Sequence, residues 1–251
     1  RVGTGLVQMA VPASLQAGLI GRLLEATWLP LPETEGGIDA AAEGLIRTNL
    51  ERVNTLLIGP GFGHQPGTAE FIRALFSRPA GLPPCVVDAD GLRLLAKTSG
   101  WHKLLPPDSI LTPHPGEMSA LTGLRVDEIQ ADRLATAQKF ACRWGHTVVL
   151  KGAFSVVASP DGRAHVIPVA TAALARAGSG DLLAGMIAGL RAQGVASYEA
   201  AVSAAWIHGQ AGLTAEKTFG HSASVLAGDV LAAVPVVLNR LVHEDWVVRI
   251  S

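Results

Sequence analysis

Two glycines, a serine and an acid, Gly178-Ser179-Gly180-Asp181, stand directly in front of an apolar run in "RAGSGDLLAGMIAGL" (176–190). Leu182, Leu183, Met186, Ile187 and Leu190 recur at helical spacing, so these four residues form the start of a packed helix whose first turn is left to meet a ligand. The first amides of a helix have no intrahelical partner, and the helix dipole adds about half a positive charge there, so an anion is the natural guest. Gly178 and Gly180 carry no side chain to keep a phosphate oxygen from those amides. Asp181 has two readings. A carboxylate in the first turn caps orphan amides, and one beside a bound phosphate can also take the proton of an attacking hydroxyl. Capping accounts for the acid but not for the glycines, so phosphoryl transfer is the chemistry to test against the other motifs.

Four further stretches could serve that chemistry, each with a plainer alternative. Gly59-Pro60-Gly61-Phe62-Gly63 permits close backbone approach to a bulky ligand, or is a tight turn. Asp88 and Asp90 could hold water or Mg²⁺, or bond nearby amides. In "TPHPGE" (112–117) two prolines fix His114 beside Glu117, which suits ligand contact by His114. Glu117 could polarise a metal-bound water, cap the helix that follows, or do both. Lys151, with Gly152 behind it, suits a phosphate or nucleotide, or merely snorkels from a strand end. Neither G-x-x-x-x-G-K-[ST] nor G-x-G-x-x-G occurs, which removes the main support for P-loop and Rossmann readings. His146, His208 and His221 lack metal-ligand spacing, and Ser155, Ser179 and Ser222 have no nucleophile setting.

These residues have to be positioned by secondary structure, and the pattern is regular. Apolar runs at 5–11, 55–63, 85–91, 109–117 and 147–153 are rich in Val, Ile and Leu without alternation, as in strands buried on both faces. Helical periodicity fills the intervals, notably 68–78 and 126–145. Alternation of this kind predicts a mainly parallel sheet with helices on both sides, whose ligands bind at the carboxyl ends of the strands. The motifs all fall at those ends. After Lys151 a hairpin is expected around Asp161-Gly162, then helices near 181–193, 198–217 and 222–242. Gly185 and Gly189 should admit a neighbouring element to the helix, and "LPLPETEGG" (29–37) reads as an exposed loop.

Composition limits the function classes. The 251 residues are 49% hydrophobic and 16% charged, with 20 basic against 21 acidic groups, which describes one globular domain and excludes disorder. Near-neutral charge without Lys/Arg runs gives no footprint for nucleic acid. Apolar stretches are broken before the roughly 18 residues of a membrane span, so no membrane association and a cytoplasmic location are expected. Cys85 and Cys142 read as reduced, packed thiols. "VSAAWIHGQAGLTA" (202–215) has apolar surface enough to be buried internally or between subunits.

Taken together, "GPGFG", "VVDADGL", "LTPHPGEMSALTG", "VVLKGAFSVVASPDG" and "ALARAGSGDLLAGMIAGLRAQG" resemble the ADP-dependent NAD(P)H-hydrate dehydratase family, in order, over roughly Gly5 to Gly194. The resemblance implies an α/β ribokinase-like three-layer sandwich, with a mainly parallel central sheet and helices on both faces. It implies repair of hydrated nicotinamide cofactor: ADP phosphorylates the C6 hydroxyl of NADHX or NADPHX, and loss of phosphate returns NADH or NADPH and leaves AMP. Asp181 is then the base and contacts the hydrated ring, and Gly180 belongs to the anion hole. His114, Gly61 and Gly63 line the substrate site, Lys151, Gly152, Ala153, Phe154 and Ser155 meet the nucleotide, and Glu117 supports Mg²⁺ through water. Where relatives carry Asn-Pro and a Thr, Thr171-Ala172 and Arg176 stand here, which leaves nucleotide preference open. Relatives are often homotetramers, and some carry a fused epimerase domain upstream. Residues 1–251 read as one such domain lacking its first strand, turn and helix. Two alternatives stay open, a ribokinase-like kinase for a vitamin precursor and a non-catalytic nucleotide-binding module.

Overall fold

The structure, a computed structural model, describes residues 1–243. It opens with β1 (Val7–Pro12), α1 (Ala13–Leu19) and β2 (Ala26–Leu31), then a short ladder of β3 (Glu33–Thr34) with β4 (Gly37–Ile38), and α2 (Ala42–Thr48). Strand and helix then alternate through β5 (Leu56–Ile58), α3 (Pro66–Ser77), β6 (Cys85–Val87), α4 (Ala89–Leu95) and β7 (Ile110–Leu111). Three helices, α5 (Pro115–Thr122), α6 (Val126–Ala131) and α7 (Arg133–Trp144), lead to β8 (Thr147–Leu150). The hairpin of β9 (Val156–Ala158) and β10 (Ala164–Val166) precedes α8 (Ser179–Ala192), α9 (Ser197–Phe219) and α10 (Ala227–His243).

The central sheet runs β10-β9-β8-β7-β6-β5, with β5 to β8 parallel and the last two strands antiparallel. Successive side chains along a strand point to opposite faces, and along β6 to β9 both faces are covered. At the sheet edge β5 leaves Leu57 exposed, so the 55–63 run is not buried on both faces as its pattern suggests. Cys85, Val87, Leu111, Val148 and Leu150 face a core built with α3, α4, α5 and α7. Their neighbours Val86, Ile110 and Val149 face a second core built with α8, α9 and α10. This is why those runs show no alternation, and it makes the three layers. Gly162, at φ +91°, turns the β9–β10 hairpin as the sequence predicts, and Asp161 accepts from the Arg163 amide at 3.0 Å.

Several expectations need correction. The run at 5–11 is not buried on both faces: β1 pairs only with β2, in a separate two-stranded parallel sheet, and Leu6 and Val7 are exposed. Ala10 and Leu29 pack on the first core while every residue of β1 is exposed or only partly buried, a shallow burial that a continuous apolar run does not reveal. Residues 29–37 are not simply an exposed loop, because Leu31 completes β2 and is buried, as is Gly37 of β4. The helix expected over 126–145 breaks at Asp132, whose carboxylate caps α7 by accepting from the Ala135 amide at 2.9 Å. Likewise 222–242 divides into a 3-10 turn at 222–224 and α10. Cys85 is packed, but Cys142 lies on the outer face of α7 and is exposed. Gly189 does admit a neighbour, since a Cβ there would lie 2.6 Å from both Thr4 and Val2, whereas Gly185 faces open space. The 202–215 run is buried internally through Ala204, Ala205, Ile207, Ala211 and Ala215.

Candidate active site

The four parallel strands deliver their following residues to one edge. Gly59 follows β5, Asp88 follows β6, Thr112 to His114 follow β7 and Lys151 follows β8, and the ladder continues into them: the amides of Asp88, Thr112 and Lys151 donate to Ile58, Val87 and Pro113 carbonyls. Gly59 has φ +119°, and a Cβ there would lie 1.9 Å from the Asp88 carbonyl oxygen, so only glycine lets these two strand ends touch. Ala89, at φ +49°, then turns the chain sharply, a strained conformation for a residue with a side chain. The turn separates the two acids. Asp90 reaches back to accept from the Gly63 amide at 2.9 Å, which ties down the Gly59–Gly63 loop, while Asp88 stays buried.

Asp88 is 1% exposed and its Oδ1 accepts a hydrogen bond from Lys151 Nζ at 2.5 Å. Its Oδ2 is buried with no partner among the described residues. Lys151 Nζ also lies 3.8 Å from Glu117 Oε2, so one ammonium stands between two buried carboxylates. Burial pushes the Glu117 carboxyl above its usual range, with the Lys151 charge pulling the other way. Glu117 Oε2 accepts from the His114 amide at 2.9 Å and His114 Nδ1 accepts from the Glu117 amide at 3.3 Å, closing a capping box at α5, while Nδ1 also accepts from the Gly116 amide at 2.9 Å. Since Nδ1 is an acceptor, a neutral His114 carries its proton on Nε2, 3.2 Å from Glu117 Oε1. Burial and then the Lys151 and Arg93 charges hold His114 below its ordinary pKa, which favours that neutral form. Glu117 is thus a cap, as one of its readings required, and is also wired to Lys151.

Helix α8 arrives at the same place. Gly178 takes φ +85° just before the first turn, and a Cβ built on Gly180 would sit 3.5 Å from Lys151 Nζ and 4.0 Å from Asp88 Oδ2. The glycine therefore leaves a hollow floored by helix amides, one ammonium and an unpartnered carboxylate oxygen. Asp181 follows on the exposed side of the turn. From the other flank, Ser155 closes the Gly152 loop, its Oγ accepting from the Gly152 amide at 3.2 Å and donating to the Gly152 carbonyl at 2.9 Å. Phe154, at φ +53° with 53% of its surface exposed, holds its ring outward. Gly61 opens to solvent, a Cβ there meeting nothing within 4 Å.

Lys151, Glu117, His114 and Gly180 are thus joined by short distances. Gly63 is tied to Asp90, while Gly61 makes no contact with the cluster among the described residues and Asp181 stands exposed beside it. The sequence names Asp88 as a possible holder of water or Mg²⁺ but not its pairing with Lys151, which puts it at the centre of the cluster. A cavity of about 290 Å³ at the opposite end of β8 is lined by Arg163 paired with Asp161 and Glu199, and by Asp108.

Sheet, layers and a glycine-hollowed helix start at the carboxyl edge define a ribokinase-like α/β protein. The chain belongs to the NAD(P)H-hydrate dehydratase family, whose model matches residues 1–235. It is 41% identical over 249 residues to a bifunctional NAD(P)H-hydrate repair enzyme Nnr of Moorella thermoacetica, covering 97% of this chain and 46% of that one. It is 38% identical over 191 residues to an ADP-dependent (S)-NAD(P)H-hydrate dehydratase of Neisseria meningitidis, covering 75% and 64%. A Bacillus subtilis ADP/ATP-dependent NAD(P)H-hydrate dehydratase co-crystallised with ATP/Mg²⁺ superposes with a TM-score of 0.77 at 28% identity, over 95% of this chain and 82% of that one. A hydroxyethylthiazole kinase of Pyrococcus horikoshii shares the fold, with a TM-score of 0.59 at 19% identity over 94% of this chain and 87% of that one. The chain spans about half the length of the bifunctional relatives it matches. No helix among the described residues is long and apolar enough to cross a membrane.

Proposed function

We propose that this chain is an ADP-dependent dehydratase that returns hydrated NADH and NADPH to the reduced cofactors, releasing AMP and phosphate. The observation that carries the reading is the hollow at Gly180, where the amides of a helix start, the Lys151 ammonium and the Asp88 carboxylate meet. The amides and the ammonium are donors that suit the terminal phosphate of a nucleotide, and the Asp88 carboxylate holds the ammonium in place. Asp181, on the open side of the same turn, takes the proton of the C6 hydroxyl as its oxygen bonds to the β-phosphorus. The bond from that phosphorus to the AMP oxygen breaks, and AMP leaves. The C6–O bond then breaks with loss of a ring proton, the ring double bond re-forms and phosphate departs. Asp88 and Glu117 act here as positioning groups that hold the Lys151 side chain in place. Gly152 to Ser155, with the outward ring of Phe154, form the nucleotide flank, and His114, Gly61 and Gly63 the substrate flank.

The residues fit Mg²⁺. Asp88 Oδ2 is a hard oxygen donor, buried and unpartnered, beside Glu117, and no cluster of three or more His, Cys, Asp or Glu occurs among the described residues. Two carboxylates suit an ion that keeps several waters. When bound, Mg²⁺ supplies charge neutralisation on the phosphates, with Asp88 and Glu117 holding it through water. The same proposal includes one dehydratase domain, a cytoplasmic homotetramer and, as the bifunctional relatives suggest, a fused epimerase domain.

The test is recovery of the near-ultraviolet absorbance of NADH from its hydrate, with and without ADP and Mg²⁺. ADP-dependent recovery with stoichiometric AMP is expected. A stable phosphate ester of an alcohol substrate, with no recovery from the hydrate, would move the site to the kinase reading. ADP binding without turnover of either would leave a binding module.

A further inference from the structure

Beneath the first turn of α8 lies a polar pair that the chemistry above does not use. Ser179 is 2% exposed, and its Oγ lies 3.0 Å from Nε2 of His208, itself 7% exposed, in the middle of α9. His208 also stands on a helix face that meets the approach to the turn at two further points. Four residues on, a Cβ at Gly212 would lie 2.6 Å from Leu174, so α9 and this segment touch closely. Four further on, Glu216 accepts a hydrogen bond from Thr171 Oγ1, and Thr171 Oγ1 in turn accepts from the Ala173 amide at 3.1 Å. Positions 208, 212 and 216 share one face of a helix. That face touches the segment before α8 and its first turn at Thr171, Leu174 and Ser179.

Successive side chains on a helix are about 100° apart, so a serine fixed inward at 179 sends the side chain at 181 to the opposite, open side. The serine thereby sets the rotation of the first turn, and with it the aim of the Gly180 and Asp181 amides and of the Asp181 carboxylate. We infer that His208 is a positioning residue for phosphoryl transfer, acting through Ser179 to fix the first turn of α8 in the orientation that receives the phosphate. The inference rests on the dehydratase reading for its kinetic readout, but not for its structural one. A buried imidazole in this place is otherwise a poor choice against leucine, which would fill the same space with no polar atom to satisfy. Burial, with the Lys151 charge, pushes the His208 pKa down to about 4, so the ring is neutral in the working range.

The experiment compares His208→Leu, His208→Gln and Ser179→Ala in the full chain. Gln carries a polar terminus near the place of Nε2, and Ser179→Ala changes one oxygen, so it stands in where the leucine variant fails to fold. For the folded fraction, His208→Leu and Ser179→Ala should each lower kcat/KM for ADP by about 10- to 100-fold, the range usual for groups that orient a site from behind. The double variant should lose no more than the worse single one, and His208→Gln should restore most of the loss. Amide exchange of residues 176–183 should quicken in both single variants. If the wild-type chain turns over no hydrate, the dehydratase reading fails and amide exchange still decides the pair. Unchanged exchange over 176–183, or kcat/KM within twofold of wild type in an active enzyme, overturns the inference.

Discussion

Gly180→Ala separates the cost to the fold from the cost to the site more cleanly than any other single change. The new Cβ would lie 3.5 Å from Lys151 Nζ and 4.0 Å from Asp88 Oδ2, both ordinary contact distances, and Gly180 is not among the glycines with positive φ. Nothing in the folded chain resists the methyl. Alanine is favoured over glycine inside a helix by up to about 1 kcal/mol, because it has less backbone freedom to lose. At this chain length that corresponds to a rise of at most roughly 4 °C in the unfolding midpoint. A phosphate oxygen bound by Lys151 needs to sit at about 2.8 Å from Nζ, and the methyl lies in the hollow through which it would approach. Losing one aimed donor to a phosphoryl or acyl transition state typically costs on the order of 10²–10³ in rate. Thermal unfolding and ADP-dependent turnover of the same preparation should therefore move in opposite directions. A variant that keeps ADP affinity and turnover within about threefold, or that unfolds several degrees below wild type, would refute the assignment of the hollow.

Three other outcomes follow from the same geometry. Asp181→Asn should lower turnover by about 10²–10⁴ while ADP binding, followed by calorimetry, stays near wild type, because the carboxylate is needed only when the hydroxyl gives up its proton. Lys151→Met leaves Asp88 buried without its counter-charge and should cost about 3–5 kcal/mol in denaturant unfolding, with much of that recovered in the Lys151→Met/Asp88→Asn double variant. For His208, held near 4 in the folded chain against an ordinary 6.5, the unfolded chain binds more protons between those values. Its share of stability is complete above about pH 6.5 and falls away as pH drops towards 4, by on the order of 3 kcal/mol in all. His208→Gln should flatten that part of the pH–stability curve, and an unchanged slope would contradict the burial of the ring.

Legibility in the sequence followed the physics of each signal. Strands covered on both faces, such as 85–87 and 147–150, announce themselves as unbroken apolar runs, and the motif behind each is placed by the rule that parallel strands end together. The first strand gave the same signal for a different reason, since its residues are exposed or only partly buried. Glu117 showed its capping role, one of its two readings, through its place at the start of the helix that follows. The partners of Asp88 and the role of His208 were hidden because they lie in pairing across 63 and 29 positions of chain, with Lys151 and Ser179. Spacing rules see neighbours on one element. Only the folded chain shows which distant residues were brought to meet.

The β1–α1–β2 unit has a practical consequence of its own. Helix α1 buries none of its residues and begins without a side-chain cap, and the turn after it leaves Leu24 82% exposed. At the same time Gln193 of α8's C-cap donates to the Val2 carbonyl at 2.9 Å, so the segment before β1 is pinned to the body of the protein. The bend near residues 20–25 is therefore the place where the chain can be opened at least cost: a protease should nick it first, and an inserted tag should be tolerated there. The two pieces would stay attached through the β1–β2 ladder and the Val2 anchor, leaving the phosphate end of the molecule untouched.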